Sequence, residues 1–381
     1  MGGTVRTVGV EEELLLFDPT TREVVAAAPA VLKEFREHGH GRQPPRAATD
    51  ELDQELFRHQ LETRTDPATD LDAVLAQLVA GRRTAGEAAR AADLRVGACG
   101  IVPLGGDRSV VSPNDRYRDM VDTYGEVART GGTCGMHVHT AIESDDEGVG
   151  VIDRIAPWLP VLLALSTNSP FVEGRDSGYA SWRSQVWSRW PSAGQTEAFG
   201  SLEGYREVGR TMIELGVARD RGMLYFDARL SVDHPTVEVR VCDVCTDPVL
   251  AVGIVALVRA LVETSARDWQ EGWSAPGWRV EALRAAHWRA SRFGMAEALV
   301  DPRSRELAPA RDVVESLVRH VRPALEEAGD LDRVSDLLVR AVSDNGATRQ
   351  RAAFERAAGV PAVVDDVIAR TEASWQTPVS L

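Results

Sequence analysis

Lysine is almost absent from this 381-residue chain, and arginine carries nearly all of its positive charge. No Gly-rich lysine loop of the Walker type occurs, so any phosphate must be held by other groups. Cysteine is scarce, with four residues in all. That argues against a disulfide scaffold and points to a reducing, cytoplasmic setting. Basic charge as a whole is in deficit: the formal net charge is −15 and the pI is about 5.1. A nucleic acid or an anionic membrane surface needs a basic patch, so neither partner is expected. A small anionic ligand is not excluded, because local arginines override the global sign. Nothing near the N-terminus reads as a signal peptide, since Arg6 and Glu11 to Glu13 interrupt any apolar stretch. The most apolar later runs, Ile155 to Leu165 and Val249 to Val258, are too short to cross a bilayer. There is no internal repeat and no low-complexity linker.

What the chain does have is apolar residues, 44% of the total, enough for a sizeable core. The stretch Val8 to Phe17 reads as a strand with three carboxylates at its middle. Side chains alternate along a strand, so Glu11 and Glu13 share one face with Gly9. Glu12 falls on the other face among Val8, Val10, Leu14 and Leu16, and is expected to be structural. A helix is expected near Ala30 to Glu37, a loop over His38 to Pro45, and a strand over Phe57 to Thr65. Glu55 and Glu62 are seven residues apart, so a turn or bulge is needed to aim both at one point. Helical spacing marks Asp70 to Ala92, with Thr69 or Asp70 as N-cap. A short strand over Leu94 to Cys99, a helix over about 114–130 and a strand over Cys134 to Ile142 follow.

Gly148 to Ser166 reads as a helix broken near Pro157 or Pro160. The stretch Asn168 to Gly200, rich in Trp and Arg, reads as a long irregular loop of the kind that is often functional. After a helix over Leu202 to Gly216 come strands over Tyr225 to Leu230 and Thr236 to Cys242. In the latter, Glu238 and Arg240 point one way and Val237, Val239 and Val241 the other. From about residue 248 the pattern is helical to the end.

Three strands thus carry polar residues on one face: Glu11 with Glu13, His137 with His139, and Glu238 with Arg240. Glu62, with Glu55, adds a fourth contribution. If these strands are neighbours, four or five carboxylates and one or two imidazoles converge. An oxygen-rich set with an occasional histidine suits Mg²⁺ or Mn²⁺ better than zinc, and the carboxylates suffice for two metals. Arginine beside them binds phosphate oxygens bidentately. Metals, arginines and a positioned nucleophile are what phosphoryl transfer from ATP requires. Each piece alone has a plainer reading: solvated edge glutamates, a structural His-X-His strand, an exposed Glu–Arg pair, tryptophans that only pack. Cys242-X-X-Cys245 invites a redox or zinc reading, but no second such pair exists.

Seven motifs carry a resemblance. Gly-Val-Glu-Glu-Glu at 9–13, Gln-Leu-Glu-Thr-Arg-Thr-Asp at 60–66 and Gly-Met-His-Val-His at 135–139 come first. Ala-Leu-Ser-Thr-Asn-Ser-Pro at 164–170, Tyr-Ala-Ser-Trp-Arg at 179–183, Thr-Val-Glu-Val-Arg-Val at 236–241 and Arg-Phe-Gly at 292–294 follow. Together, and in this order, they resemble the type 2 glutamate–cysteine ligases, or carboxylate–amine ligases, over roughly residues 6 to 370. The resemblance implies an α+β fold like that of glutamine synthetase and the guanidino kinases. It is a single catalytic domain spanning 1–381, with a curved, mainly antiparallel sheet forming an active-site funnel. Helices pack outside, and the C-terminal third is helical.

The resemblance also implies ATP and two or more Mg²⁺ ions, with Mn²⁺ as substitute. One metal set would be Glu11, His137 and Glu238; the other Glu13, Glu55 and Glu62, where the family pattern has Asp at the position of Glu55. Arg240 and Arg183 would sit near the transferred phosphate or the substrate carboxylate, and His139 close to nucleotide or substrate. The implied reaction forms an acyl phosphate from ATP and a carboxylate, then an amide by attack of an amine. In the archetype these are the γ-carboxyl of glutamate and the amine of cysteine. Trp182, Cys242 and Cys245 depart from some family members, which leaves the substrates open. A metal-dependent hydrolase and a guanidino-type phosphotransferase are the alternatives. The family is also compatible with a homo-oligomer.

Overall fold

A computed structural model describes residues 5–37, 52–106, 110–130, 132–357 and 359–376. The expected loop at His38 to Pro45 lies outside them. The chain begins with strand β1 (Val8–Phe17) and helix α1 (Ala28–Glu37). A tight hairpin of β2 (Asp53–Gln54) and β3 (Gln60–Arg64) leads to α2 (Leu71–Ala91) and β4 (Arg95–Gly97). Asp70 caps α2 by accepting a hydrogen bond from the Asp72 amide, as its position in the sequence suggests. Then come α3 (Asp115–Tyr124), α4 (Glu126–Arg129), β5 (Gly135–Ala141), α5 (Asp145–Ile155) and α6 (Leu159–Ser166).

A small hairpin of β6 (Phe171–Val172) and β7 (Arg175–Asp176) precedes α7 (Trp182–Trp187), α8 (Leu202–Glu214), β8 (Ala228–Leu230) and β9 (Thr236–Asp243). The C-terminal third holds α9 (Pro248–Gln270), α10 (Val280–Phe293), a hairpin of β10 (Ala298–Val300) and β11 (Leu307–Pro309), and α11 (Ala310–Ala328). It ends with α12 (Leu331–Asp344), α13 (Gly346–Ala357) and α14 (Val360–Gln376).

The main sheet is antiparallel, with described strand order β2-β3-β1-β5-β9-β8 and β4 pairing with the end of β1. The α+β class is as expected. Val8, Val10, Val138, Val237 and Val239 on the buried face pack into one large core with α5, α6, α9 and α11. Leu14 to Phe17 enter a second core with α1, α2 and α14. The helix α9 passes through the middle of the first core and packs on α5, α11 and α12. Two helical stretches, Asp145–Ser166 and Pro248–Gln270, are long and apolar enough to cross a membrane. Each contains one of the short apolar runs. Their apolar windows are 94% and 83% buried inside the protein itself, which accounts for the apolar composition without a bilayer.

Several expectations need correction. The 168–200 stretch is irregular only in part: it holds the β6–β7 hairpin and α7, while 188–200 runs without helix or strand. Its anchor is Asp243, which accepts hydrogen bonds from Ser169 Oγ at 2.7 Å, Ser181 Oγ at 2.8 Å and the Asn168 amide at 2.9 Å. No local sequence pattern reveals a partner sixty residues away. The 114–130 helix is split at Gly125, whose φ of 58° an L-residue rarely adopts. The β10–β11 hairpin interrupts the helical C-terminal third. Cys242 and Cys245 are free and buried; burial pushes the Cys242 thiol up to about 12, against thiolate chemistry.

Glu12 occupies the core face, as its parity requires. It forms a two-point ion pair with Arg82 of α2, at 2.6 and 2.8 Å, and both side chains are fully buried. Arg82 also donates to the carbonyls of Cys245 and Thr246, which fastens β1, α2 and the end of β9 together. A buried charge deprived of its partner costs about 3–5 kcal/mol. Arg82→Ala is therefore expected to lower the urea midpoint by that equivalent, with Glu12→Leu/Arg82→Met recovering most of the loss. An unchanged midpoint for the single variant would contradict this role.

Candidate active site

The register of the sheet brings the polar positions to one face. Glu13 lies opposite Glu62 across β1 and β3, Glu11 opposite His137 across β1 and β5, and His139 opposite Glu238 across β5 and β9. A shift of register between Met136 and Val138 falls at His137, a local bend of the kind that re-aims side chains near active sites. Glu55 follows β2, whose pairing with β3 sets Asp53 opposite Glu62. The turn between β2 and β3 resolves the parity mismatch and carries Glu55 to Glu62.

Two clusters result, each with its candidate ligand atoms within 4.8 Å of one another: Glu11, His139 and Glu238, and Glu13, Glu55 and Glu62. The second is the set implied by the resemblance. In the first, His139 stands in the cluster where the resemblance names His137. His137 is nevertheless close, with Nδ1 3.1 Å from Glu11 Oε2 and 3.9 Å from Glu238 Oε1.

The two clusters differ in electrostatics. Burial works against ionisation of Glu11, but the hydrogen bond with His137 and the neighbouring His139 hold its carboxyl far below the usual range. Burial likewise opposes Glu238, which Arg240 and Arg229 hold far below that range. In the other cluster burial prevails. It raises Glu13, although His137, Arg183 and the Gly135 amide partly compensate. It raises Glu55 well above 4.5, reinforced by a proton-sharing contact with Glu62 and by the charges of Glu62 and Glu13. Like carboxylates that share a site cannot all ionise unless a cation joins them.

Both clusters fit hard divalent cations. Among the described residues, buried His139 Nε2 has no hydrogen-bond partner, and it lies 3.6 Å from Glu11 Oε1. His139 Nδ1 meets Thr236 Oγ1 at 2.9 Å. With Nδ1–H donating to that hydroxyl, the Nε2 lone pair faces the two carboxylates, the orientation that a second partner gives a ligating histidine. Carboxylate oxygens with one imidazole match Mg²⁺ or Mn²⁺.

Arg240 is buried beside these groups, ion-paired with Glu238 and stacked between Trp187 and Tyr225 with 5.7 and 5.9 Å to the ring centroids. Arg183 is one layer further back. It donates to the carbonyls of Arg240 and Val241 and lies over Trp187 at 5.8 Å. It does not line the cavity of about 300 Å³ that holds Glu11, Glu13, Glu55, Glu62, His137 and Arg240. Sequence reasoning missed Arg229, which forms a second arginine pair with Glu238 at 2.8 Å. It stands opposite Glu238 in β8, and a lone arginine between Ala228 and Leu230 was the available signal. Also missed were Arg116, Tyr117 and Tyr225 on the far wall of that cavity. A neighbouring cavity of about 600 Å³ is shared by Glu11, His139, Arg229, Arg240 and the β8–β9 turn at His234.

The chain matches known proteins along nearly its whole length. The family model described as glutamate-cysteine ligase family 2 covers residues 7–371. A Nocardioides protein named "Putative glutamate--cysteine ligase 2-1" is 75% identical over 372 residues, covering 98% of this chain and 97% of that protein. A Streptomyces avermitilis protein of the same name is 46% identical over 372 residues, covering 97% of this chain and 100% of the other. Among solved structures, a glutamate–cysteine ligase from Francisella tularensis in complex with AMP has a TM-score of 0.67 at 12% identity, covering 99% of this chain and 90% of that one. A bifunctional glutathione synthetase from Pasteurella multocida has a TM-score of 0.68 at 15% identity, covering 98% of this chain and 53% of that one. At such identities the structural likeness speaks for the fold.

A raised glutamate costs the metal-free fold stability as pH climbs from 4.5 toward its folded value, because the unfolded chain ionises first. Glu55→Gln removes that loss. Without divalent metal it is expected to melt a few degrees above wild type at pH 7.5, with the gap closing near pH 4.5. Millimolar Mn²⁺ is expected to raise the melting temperature of wild type more than that of the variant. A variant less stable than wild type at pH 7.5, or an equal Mn²⁺ shift, would refute the crowding described here.

Proposed function

Since this chain belongs to the glutamate–cysteine ligase family 2, we propose that it is an ATP-dependent ligase joining a carboxylate to an amine through an acyl phosphate. The observation that carries the reading is the pair of carboxylate clusters on one sheet face with Arg240 and Arg229 at their edge. Glu11, His139 and Glu238, with His137 adjacent, and Glu13, Glu55 and Glu62 would hold Mg²⁺ or Mn²⁺. Such ions, when bound, neutralise phosphate charge and polarise the bond to the leaving ADP.

The remaining work falls to the chain's own residues. Arg240 and Arg229 offer planar donors to the transferred phosphoryl oxygens or the donor carboxylate. Trp187 and Tyr225 fix Arg240 in place, so little reorganisation is needed when charge develops. A carboxylate oxygen of the donor attacks the γ-phosphorus and ADP departs. The amine then attacks the acyl carbon, phosphate leaves, and the nitrogen gives up a proton. Tyr117, Trp187, Trp190 and Tyr225 form an aromatic wall opposite the glutamates; excluding water there protects the acyl phosphate from hydrolysis. Glutamate and cysteine are the first substrates to test.

ADP release should require Mg²⁺ or Mn²⁺ and both an acid and an amine. Glu11→Gln should lower kcat at least about 100-fold, the scale on which one electrostatic group acts in a site, with the variant still folded at the assay temperature. ADP formed from a single guanidino compound would indicate a phosphotransferase, and turnover without ATP a hydrolase; either would refute the ligase.

A further inference from the structure

A cavity of about 730 Å³ lies apart from the one that holds the carboxylates. It is a groove between the segment 185–195 and α10. It meets the catalytic cavity at Trp190, which lines both. Its base is tied to the strand that carries Arg229. Gln195 donates to Asp227 Oδ2 at 2.7 Å, and His287 Nδ1 lies 3.2 Å from the same oxygen. Asp227 in turn accepts the Arg240 amide through its carbonyl at 2.8 Å. The groove is therefore a rigid continuation of the catalytic cleft on its aromatic side.

The groove's chemistry is that of a site for an extended anionic chain. Arg189 lies on the 185–195 side and Arg284 on α10; Arg284 is close enough to Glu281 to help lower its pKa, and Arg189 has no ion pair among the described residues. Glu281 is the one acid in the lining. Trp288, a flat ring, is 45% exposed at the groove. The carboxamide oxygens of Gln185 and Gln195 are available to peptide N–H groups, since the hydrogen bonds these side chains form use their nitrogens.

Resting on the ligase reading, we infer that the groove receives the distal part of the amine substrate. That substrate is then larger than a free amino acid: a peptide-like amine whose far end carries carboxylate. The catalytic cavity of about 300 Å³ must hold the donor carboxylate and the reacting amine. A longer acceptor has to leave it, and the exit at Trp190 leads between the two arginines.

Steady-state ADP release tests this with cysteine and alanine, each supplied free and as the N-terminal residue of a dipeptide ending in glutamate. In wild type the dipeptides are expected to show the lower KM. Arg284→Ala and Arg189→Ala are expected to raise the dipeptide KM about fivefold each, the scale of an exposed charge pair. Their kcat, their KM for the free amino acids and their melting temperatures stay unchanged. Dipeptides no better than the free amino acids, or variants that shift both classes equally, would overturn the inference while leaving the ligase intact. No ADP with any acceptor would overturn both.

Discussion

Carboxylates crowded on one face of a buried sheet must be neutralised, and everything else in this molecule is arranged around how that is done. Glu11 and Glu238 are compensated from within, by two histidines and two arginines, and stay ionised. Glu13, Glu55 and Glu62 are compensated less: Arg64 pairs with Glu62 at 2.7 Å, but burial still raises Glu13 and Glu55. One half of the site is thus a preset anionic platform, and the other a carboxylate cluster in which burial favours the protonated form. Side by side on one sheet, the two give a graded field along which a polyphosphate can be laid.

The scaffold that keeps these strands in register relies on buried polar anchors as well as apolar packing. Glu12 and Arg82 fasten β1 to α2 directly beneath Glu11 and Glu13. Asp243, at the end of β9, gathers Ser169, Ser181 and the Asn168 amide, and so sets α7 against the sheet. From there α7 presents Arg183 and Trp187 toward Arg240. A one-residue slip in β1 would carry Glu11 and Glu13 to the core face, where Arg82 can pair with only one of them, so the ion pair also specifies the register.

Much of the site was legible in the sequence because β-strand parity is a strict rule. The faces of Glu11, Glu12 and Glu13, of Glu238 and Arg240, and the need for a turn between Glu55 and Glu62 all followed from counting by two. Family likeness, rather than pattern, put those strands next to one another. What stayed hidden depended on long-range partners. The order in 168–200 comes from Asp243, and the pairing of Arg229 with Glu238 comes from a neighbouring strand. The extra residue of β9 between Cys242 and Val239, opposite His137, shows in no local signal. The small cavity-facing tyrosines were missed because a tyrosine in a helix or a loop looks the same whether it packs or lines a cleft.

The central claim is that this sheet face activates a carboxylate by phosphorylating it. The direct measurement is the fate of oxygen: supply the donor with both carboxylate oxygens as ¹⁸O, together with ATP and the amine, and analyse the released phosphate by mass spectrometry. An acyl phosphate requires one ¹⁸O to pass from each turned-over donor into phosphate. Phosphate carrying no label, while amide accumulates, would contradict the account.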